Sequence, residues 1–365
     1  MPTSEIASIP SGPATAHSDH REPETAGRLD RMIAALGRSA AGLAIAGVAA
    51  FAGAQPVLAQ AEFNLTMASP YPNELFHVQN IRQFIEDVET GSEGRIDITI
   101  HVAQSLFNHA ESMQALRSGQ VDLAELQLTQ FGNQEELYNF ESLPYLADSY
   151  EEAMILWDVA KPYITERLAQ DRIMPLYTVP WPPQAFYANH ELETVDDMEG
   201  LKLRVYNPMG ARVAELLGAE SVLVGGGEVP QAFSTGMIDS MITSSAFGAS
   251  ASAWDYVDVF NDVRAWFGYD QIVMNIRSFE NLPEDLQQVI LDAAERAGER
   301  GLQMSKDANE EQMQVLEDNG MTVADGNTAF TEEAARMTTQ IIDDWVEMTG
   351  EDGAAIVREF RERTQ

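Results

Sequence analysis

The chain has no cysteine, so it carries no disulfide framework, no thiolate nucleophile and no cysteine metal site. Lysine is nearly absent: Lys161, Lys202 and Lys306 are the full set, and arginine supplies the remaining basic residues. Positive charge of either kind is outweighed, with 22 basic against 58 acidic residues and a formal net charge of −36. A surface of that sign repels a phosphate backbone, which sets nucleic-acid binding aside. Sparse lysine beside abundant Asp and Glu suits a protein kept soluble by self-repulsion in a salty medium, where screening weakens that repulsion.

Catalytic patterns are equally scarce. Beyond residue 61 the histidines are His77, His101, His109 and His190, and none sits in the His-Glu-x-x-His spacing of a zinc helix. His101 and His109 read as strand-end and turn residues. Gly225-Gly226-Gly227 lacks the following Lys-Ser or Lys-Thr of a phosphate loop and reads as a turn. No Gly-x-Ser-x-Gly elbow occurs, and no loop has calcium-ligand spacing. Acid pairs such as Asp196-Asp197 and Asp343-Asp344 read as solvated faces in so acidic a chain. Neither a catalytic residue nor a cofactor or metal is expected from these patterns.

Length leaves room for two packed domains, at 365 residues. Residues 1–31 are polar and irregular and read as disordered. Arg38 then precedes a small apolar run from Ala40 to Ala54, followed by Pro56-Val57-Leu58-Ala59-Gln60-Ala61. A basic flank, a short apolar run and an Ala-x-Ala site make a secretory signal peptide, with cleavage after Ala61 and Met32 as an alternative start. The run is shorter than the roughly 20 residues a bilayer span needs. Export is the expectation.

From Phe63 the chain alternates strand and helix. Strands are predicted at 63–68, 95–102 and 121–126, with helices over 75–88 and about 109–117 between them. That order is an α/β sheet with crossover helices, in which ligands sit beyond the carboxyl ends of the strands. Tyr71, Asn108, Gln127 and Thr129 fall at such ends, with capping or turn roles as the plain alternative for the polar ones. A helix over 151–169 and a strand over 173–179 lead into Pro180-Trp181-Pro182-Pro183-Gln184, a stiff extended segment suited to crossing between lobes. A second α/β set follows, with strands at 201–206, 221–224 and 237–243 and a returning strand at 267–276. Leu282-Pro283-Glu284-Asp285-Leu286 opens a helical pattern running to about Leu316, long enough to bridge two lobes. Helices over 331–349 and 353–363 close the chain.

The central stretch is Gly200-Leu201-Lys202-Leu203-Arg204-Val205-Tyr206-Asn207-Pro208. Leu201, Leu203 and Val205 alternate with Lys202, Arg204 and Tyr206, the period of a half-buried strand that Pro208 ends. An arginine at the carboxyl end of a strand presents a planar fork of donors suited to a carboxylate. The plain alternative is a solvated strand arginine.

With its flanks, this stretch resembles the solute receptors of the tripartite ATP-independent periplasmic (TRAP) transporters, of the DctP-like type. The matching motifs run in order: Gly94-Arg95-Ile96-Asp97-Ile98, Ala115-Leu116-Arg117-Ser118-Gly119-Gln120-Val121-Asp122, Leu143-Pro144-Tyr145-Leu146, Asp197-Met198-Glu199-Gly200 with the strand, Glu228 to Gly236, and Leu282 to Gln287. The likeness spans Phe63 to Arg361. It implies an α/β, two-lobed periplasmic-binding-protein fold with a long helix lying across both lobes. The implied lobes are 62–182 plus about 271–310, and 183–270 plus about 311–365. It also implies that Arg204 forms a bidentate salt bridge with a substrate carboxylate and that Asn207 falls at a ligand-binding asparagine. Sialic-acid-type members place a second arginine where Gln184 stands, an asparagine at Thr243 and acids near Asn108 and Gln127. Those departures leave a less charged cleft, which favours a small monocarboxylate, aromatic or hydroxylated, or a sulfonate. Trp181, Phe186, Tyr206 and Phe247 offer stacking walls, with core packing the alternative for Phe186.

Capture and delivery follows as the expected mechanism: lobes hinge closed on the anion and present it to the integral membrane subunits of a TRAP transporter. Two other classes fit part of the pattern. An exported hydrolase would need two acids converging in the cleft. A receptor of the same fold would instead serve an ATP-driven importer or a sensor kinase, and neighbouring genes separate those cases.

Overall fold

A computed structural model of the protein describes residues 61–365 apart from residue 327, so the leader read at 1–60 lies outside the described residues. Among the described residues eleven strands, β1 Phe63–Ala68, β2 Ile96–His101, β3 Leu123–Leu126, β4 Ile173–Pro180, β5 Gln184–Ala188, β6 Lys202–Val205, β7 Glu220–Leu223, β8 Ser240–Ser244, β9 Val259–Asp262, β10 Tyr269–Asn275 and β11 Thr322–Asp325, form two sheets. The first has the order β2-β1-β3-β10-β4, the second β11-β9-β5-β8-β6-β7.

Each sheet contains one strand that runs against its neighbours. In the first it is β10, antiparallel to β3 and β4; in the second it is β5, antiparallel to β8 and β9. These are the strands by which the chain enters one sheet from the other, β4 leading to β5 and β9 to β10. An antiparallel strand starts at the edge where its parallel neighbours end. Both crossings therefore lie at the carboxyl edges of both sheets, where α/β folds place ligands. The crossings are bonded to each other: Trp181 N–H donates to the Gly268 carbonyl at 2.8 Å and Gln184 N–H to the Trp266 carbonyl at 2.8 Å.

The predicted strands and helices are present, with ends displaced by up to three residues. Three further strands, β5, β9 and β11, carry no alternating pattern in the sequence. All five residues of β5 are buried, so the extended segment expected over 180–184 runs at Gln184 into a central strand.

Helix Glu284–Asp318 is 35 residues long, or about 50 Å at 1.5 Å per residue. Leu286, Ile290, Ala293, Ala297, Gly301, Ser305 and Ala308 recur every three or four positions and form its buried stripe. The small residues let it approach the first sheet closely. Asn80 Nδ2 donates to the Ala297 carbonyl at 2.9 Å, and Arg300 Nε donates to Asn80 Oδ1 at 2.8 Å. Further along, Ser245 Oγ donates to Asn309 Oδ1 at 2.8 Å, and Leu316 joins the core of Tyr187 and Phe260 from the second sheet. One helix thus packs on both sheets. A methyl group on Gly301 would run into Val179 and Asn80. Gly301→Ala is expected to lower stability by about 1–3 kcal/mol, read as the urea midpoint at unchanged slope.

The two closing helices, Thr328–Thr349 and Glu351–Thr364, pack back on the body. Trp345 Nε1 donates to the Glu136 carbonyl at 2.9 Å, and Arg167 pairs with Asp352 at 2.7 Å. Among the described residues no helix is long and apolar enough to cross a membrane.

Candidate ligand-binding site

Lys202 and Arg204 share a face of β6 but not an environment. Lys202, at the amino end, is exposed and reaches the Gly236 carbonyl. Arg204, two residues nearer the carboxyl edge, is 3% exposed. It is not a solvated strand arginine: among the described residues it is the one lysine or arginine in the buried class. Its Nε donates to the Val224 carbonyl at 3.0 Å, which fixes the guanidinium plane. The rings of Tyr206 and Phe247 lie 5.4 Å from its Cζ, each within cation–π range. No carboxylate pairs with it among the described residues, and its two terminal nitrogens make no hydrogen bond there. Burial pulls its pKa down to about 10, which keeps it charged at neutral pH. A buried guanidinium with two donors in one plane and no counter-ion is costly alone and is complementary to a planar anion.

Side chains from both sheets surround it. Tyr71, three residues beyond β1, and Tyr206 are phenols close enough to Arg204 to act on its charge. Tyr71 meets Trp181 edge-on at 5.2 Å between ring centroids. Gly268 sits where a Cβ would lie 3.0 Å from Gln127 Nε2 and 3.8 Å from both Trp181 Cδ1 and the Tyr206 hydroxyl. Gln127, Trp181 and Tyr206 therefore converge on one backbone turn, and that turn belongs to the β9–β10 crossing. Tyr206 is oriented by Trp266, whose Nε1 donates to its hydroxyl at 2.9 Å. Phe247, partly exposed, sits where a Cβ on Gly226 would lie 3.1 Å from its ring.

The remaining expected residues are committed locally. Asn207 is buried and caps helix Pro208–Leu216, accepting from Gly210 N–H at 2.6 Å and donating to Ser142 Oγ at 3.0 Å. Ala in its place removes the cap and takes one donor from the Ser142 hydroxyl, which still donates to Thr129 Oγ1 at 3.1 Å; Asn207→Ala is expected to cost about 1–2 kcal/mol in thermal unfolding. Gln184 is buried, its Nε2 donating to the Pro182 carbonyl at 3.1 Å. Thr243 is buried opposite Ala185 in the β8–β5 pair. Asn108 is exposed and closes a capping box with Glu111, the first turn of helix His109–Ser118. Thr129 is buried in a polar group with Asn139 and Ser142. Phe186 takes its alternative role, packed edge-on against Phe330 in the core.

Sequence reasoning missed a set of buried acids close by. Glu125 of β3, Asp270 of β10 and Glu141 are each at most 1% exposed. Burial pushes Glu125 up to about 7 and Glu141 up to about 8. In a chain with 58 acidic residues, three buried ones carry no local mark. Their signal is position: Glu125 falls inside the apolar run of β3 and Asp270 at the start of β10.

Residues 69–348 match the bacterial extracellular solute-binding proteins of family 7, DctP. The Bordetella pertussis receptor DctP6, which binds pyroglutamic acid, superposes with a TM-score of 0.80 at 34% identity over 82% of this chain and 99% of that one. A marine metagenome TRAP solute-binding protein specific for pyroglutamate gives 0.80 at 31% identity, over 83% and 99%. A solute-binding protein of Chromohalobacter salexigens is 23% identical over 284 residues, 76% of this chain and 83% of that one. The two sheets with a helix laid across both are the two-lobed fold of these receptors, and the chain belongs to the DctP family of TRAP solute-binding proteins.

Proposed function

We propose that this receptor is exported, captures a small monocarboxylate with Arg204 and delivers it to the membrane subunits of a TRAP transporter. The observation that carries the reading is a buried guanidinium whose terminal nitrogens have no protein partner among the described residues. A carboxylate matches those two nitrogens with two parallel hydrogen bonds, and Tyr71, Trp181, Tyr206 and Phe247 enclose a compact, mostly apolar remainder. Relatives at 31–34% identity that bind pyroglutamate support an acid of that size, a ring bearing one carboxylate and one amide. A second ionic group would meet no second buried arginine among the described residues, since glutamine stands at 184, where sialic-acid-type members place one.

The lobes are taken as 62–182 with about 271–310, and 183–270 with about 311–365. They hinge on the paired crossings at 181–183 and 263–268, because ligand contacts come from both sides of those segments. Cleavage after Ala61 releases the receptor to the periplasm. Thermal-shift screening against an organic-acid panel tests the ligand class. Pyroglutamate or a comparable monocarboxylate is expected to raise the melting temperature in a concentration-dependent way. A shift produced only by a dicarboxylate or a sugar acid overturns the reading.

A further inference from the structure

We propose that His77, Glu125 and Asp270 form a binding site for one divalent transition-metal ion of the zinc type. His77 lies in the first turn of helix Phe76–Gly91, Glu125 on β3 and Asp270 on β10. The β3–β10 register pairs Gln271 with Leu126 and Ile272 with Glu125, so Glu125 and Asp270 are diagonal neighbours on one sheet face. The helix lays His77 against that face. All three side chains are at most 1% exposed.

Distance is the first argument. His77 Nδ1 lies 3.5 Å from Asp270 Oδ2 and 3.9 Å from Glu125 Oε1, and the three ligand atoms fall within 4.8 Å of one another. Those separations are too long for hydrogen bonds. Two ligands each about 2.0–2.1 Å from a tetrahedral zinc ion stand about 3.3 Å apart, so a small inward movement would bring all three into coordination.

Unmet bonding is the second. Both carboxylate oxygens of Asp270, Oε1 of Glu125 and Nε2 of His77 are buried without a hydrogen-bond partner among the described residues. No arginine or lysine pairs with either acid there. Two carboxylates facing one imidazole in a dry pocket are costly as anions, and a dication would offset that cost in place of bound protons.

Orientation is the third. The Ser69 hydroxyl donates to Glu125 Oε2, leaving Oε1 turned toward His77, the arrangement by which a neighbouring hydroxyl aims a ligating carboxylate. The imidazole is held between the rings of Phe76 and Trp181, at 4.1 and 4.3 Å between centroids. One nitrogen and two carboxylates suit zinc better than calcium or magnesium, which take oxygen shells.

The test uses chelator-treated full-length protein, with zinc sulfate added both to the folded protein and during refolding from urea. Isothermal titration is expected to show one tight site, and cobalt substitution the visible absorption bands of a tetrahedral ion. His77→Phe keeps the ring packing and Asp270→Asn keeps the shape; each is expected to weaken the tight site by at least about 100-fold while leaving weak surface binding. His190→Ala, on the exposed surface, is expected to change nothing. No one-to-one zinc binding by either route, or equal affinity in Asp270→Asn and wild type, overturns the proposal.

Discussion

Arg204→Met is expected to abolish measurable ligand binding, and Arg204→Lys to weaken it by on the order of 100-fold. Truncating one partner of a buried, hydrogen-bonded charge pair costs about 2–5 kcal/mol, and about 1.4 kcal/mol is a factor of ten in affinity. Lysine keeps the charge but loses the planar fork, so one of the two parallel hydrogen bonds goes. It also loses the Nε donor that ties Arg204 to the Val224 carbonyl at 3.0 Å. The ligand-free stability of Arg204→Met separates this from misfolding. Removing a buried charge with no carboxylate partner relieves a desolvation cost that exceeds the loss of one hydrogen bond. The melting temperature without ligand is therefore expected to equal or exceed that of wild type, while the ligand-induced shift disappears. A variant that loses binding and also melts far below wild type would point to a structural role instead.

The second large effect is a pH dependence centred on Glu141. Its carboxyl accepts from Thr129 N–H at 2.8 Å through Oε1, and Oε2 has no partner among the described residues. Burial raises its pKa from 4.5 to about 8. A carboxyl with that shift binds its proton more tightly in the folded state than in the unfolded one. The stability it contributes is fully present below about pH 4.5 and is lost as the pH rises through about 8. Glu141→Gln keeps the shape and the Oε1 acceptor but cannot ionise. Between pH 5.5 and 8.5 the wild type is expected to lose on the order of 3 kcal/mol that the variant retains, or roughly 5 °C in melting temperature. Parallel melting curves against pH, wild type and variant superimposing at every value, would remove Glu141 from this account.

Much of the fold was legible because its elements carry period and punctuation. The long helix was marked by Pro283-Glu284-Asp285 at its start and by small apolar residues every third or fourth position, and its stripe is the one the structure buries. Gly119 ends helix His109–Ser118 in the left-handed conformation that glycine favours. β5 escaped because Gln184-Ala185-Phe186-Tyr187-Ala188 is buried on both faces and shows no alternation. β11 escaped because four residues between long helices leave too short a pattern.

The site was legible in part. The pattern around Arg204 placed it on a strand face and near a carboxyl end, but assigned the same face to Lys202. What separates them is depth: two residues along β6 is the distance from the exposed edge to the crossing point. Polar residues such as Asn207 and Asn108 fit capping and ligand contact equally well in sequence, and the structure commits both side chains to helix caps. Glu125, Asp270 and His77 are brought together only by strand pairing and helix docking, at separations in sequence that no spacing rule spans.

The most direct measurement is the structure of the complex with the acid that gives the largest thermal shift. The ligand carboxylate is expected coplanar with the Arg204 guanidinium, accepting from both terminal nitrogens, with Nε still bound to the Val224 carbonyl. A carboxylate held elsewhere, with the terminal nitrogens of Arg204 unengaged, would contradict it.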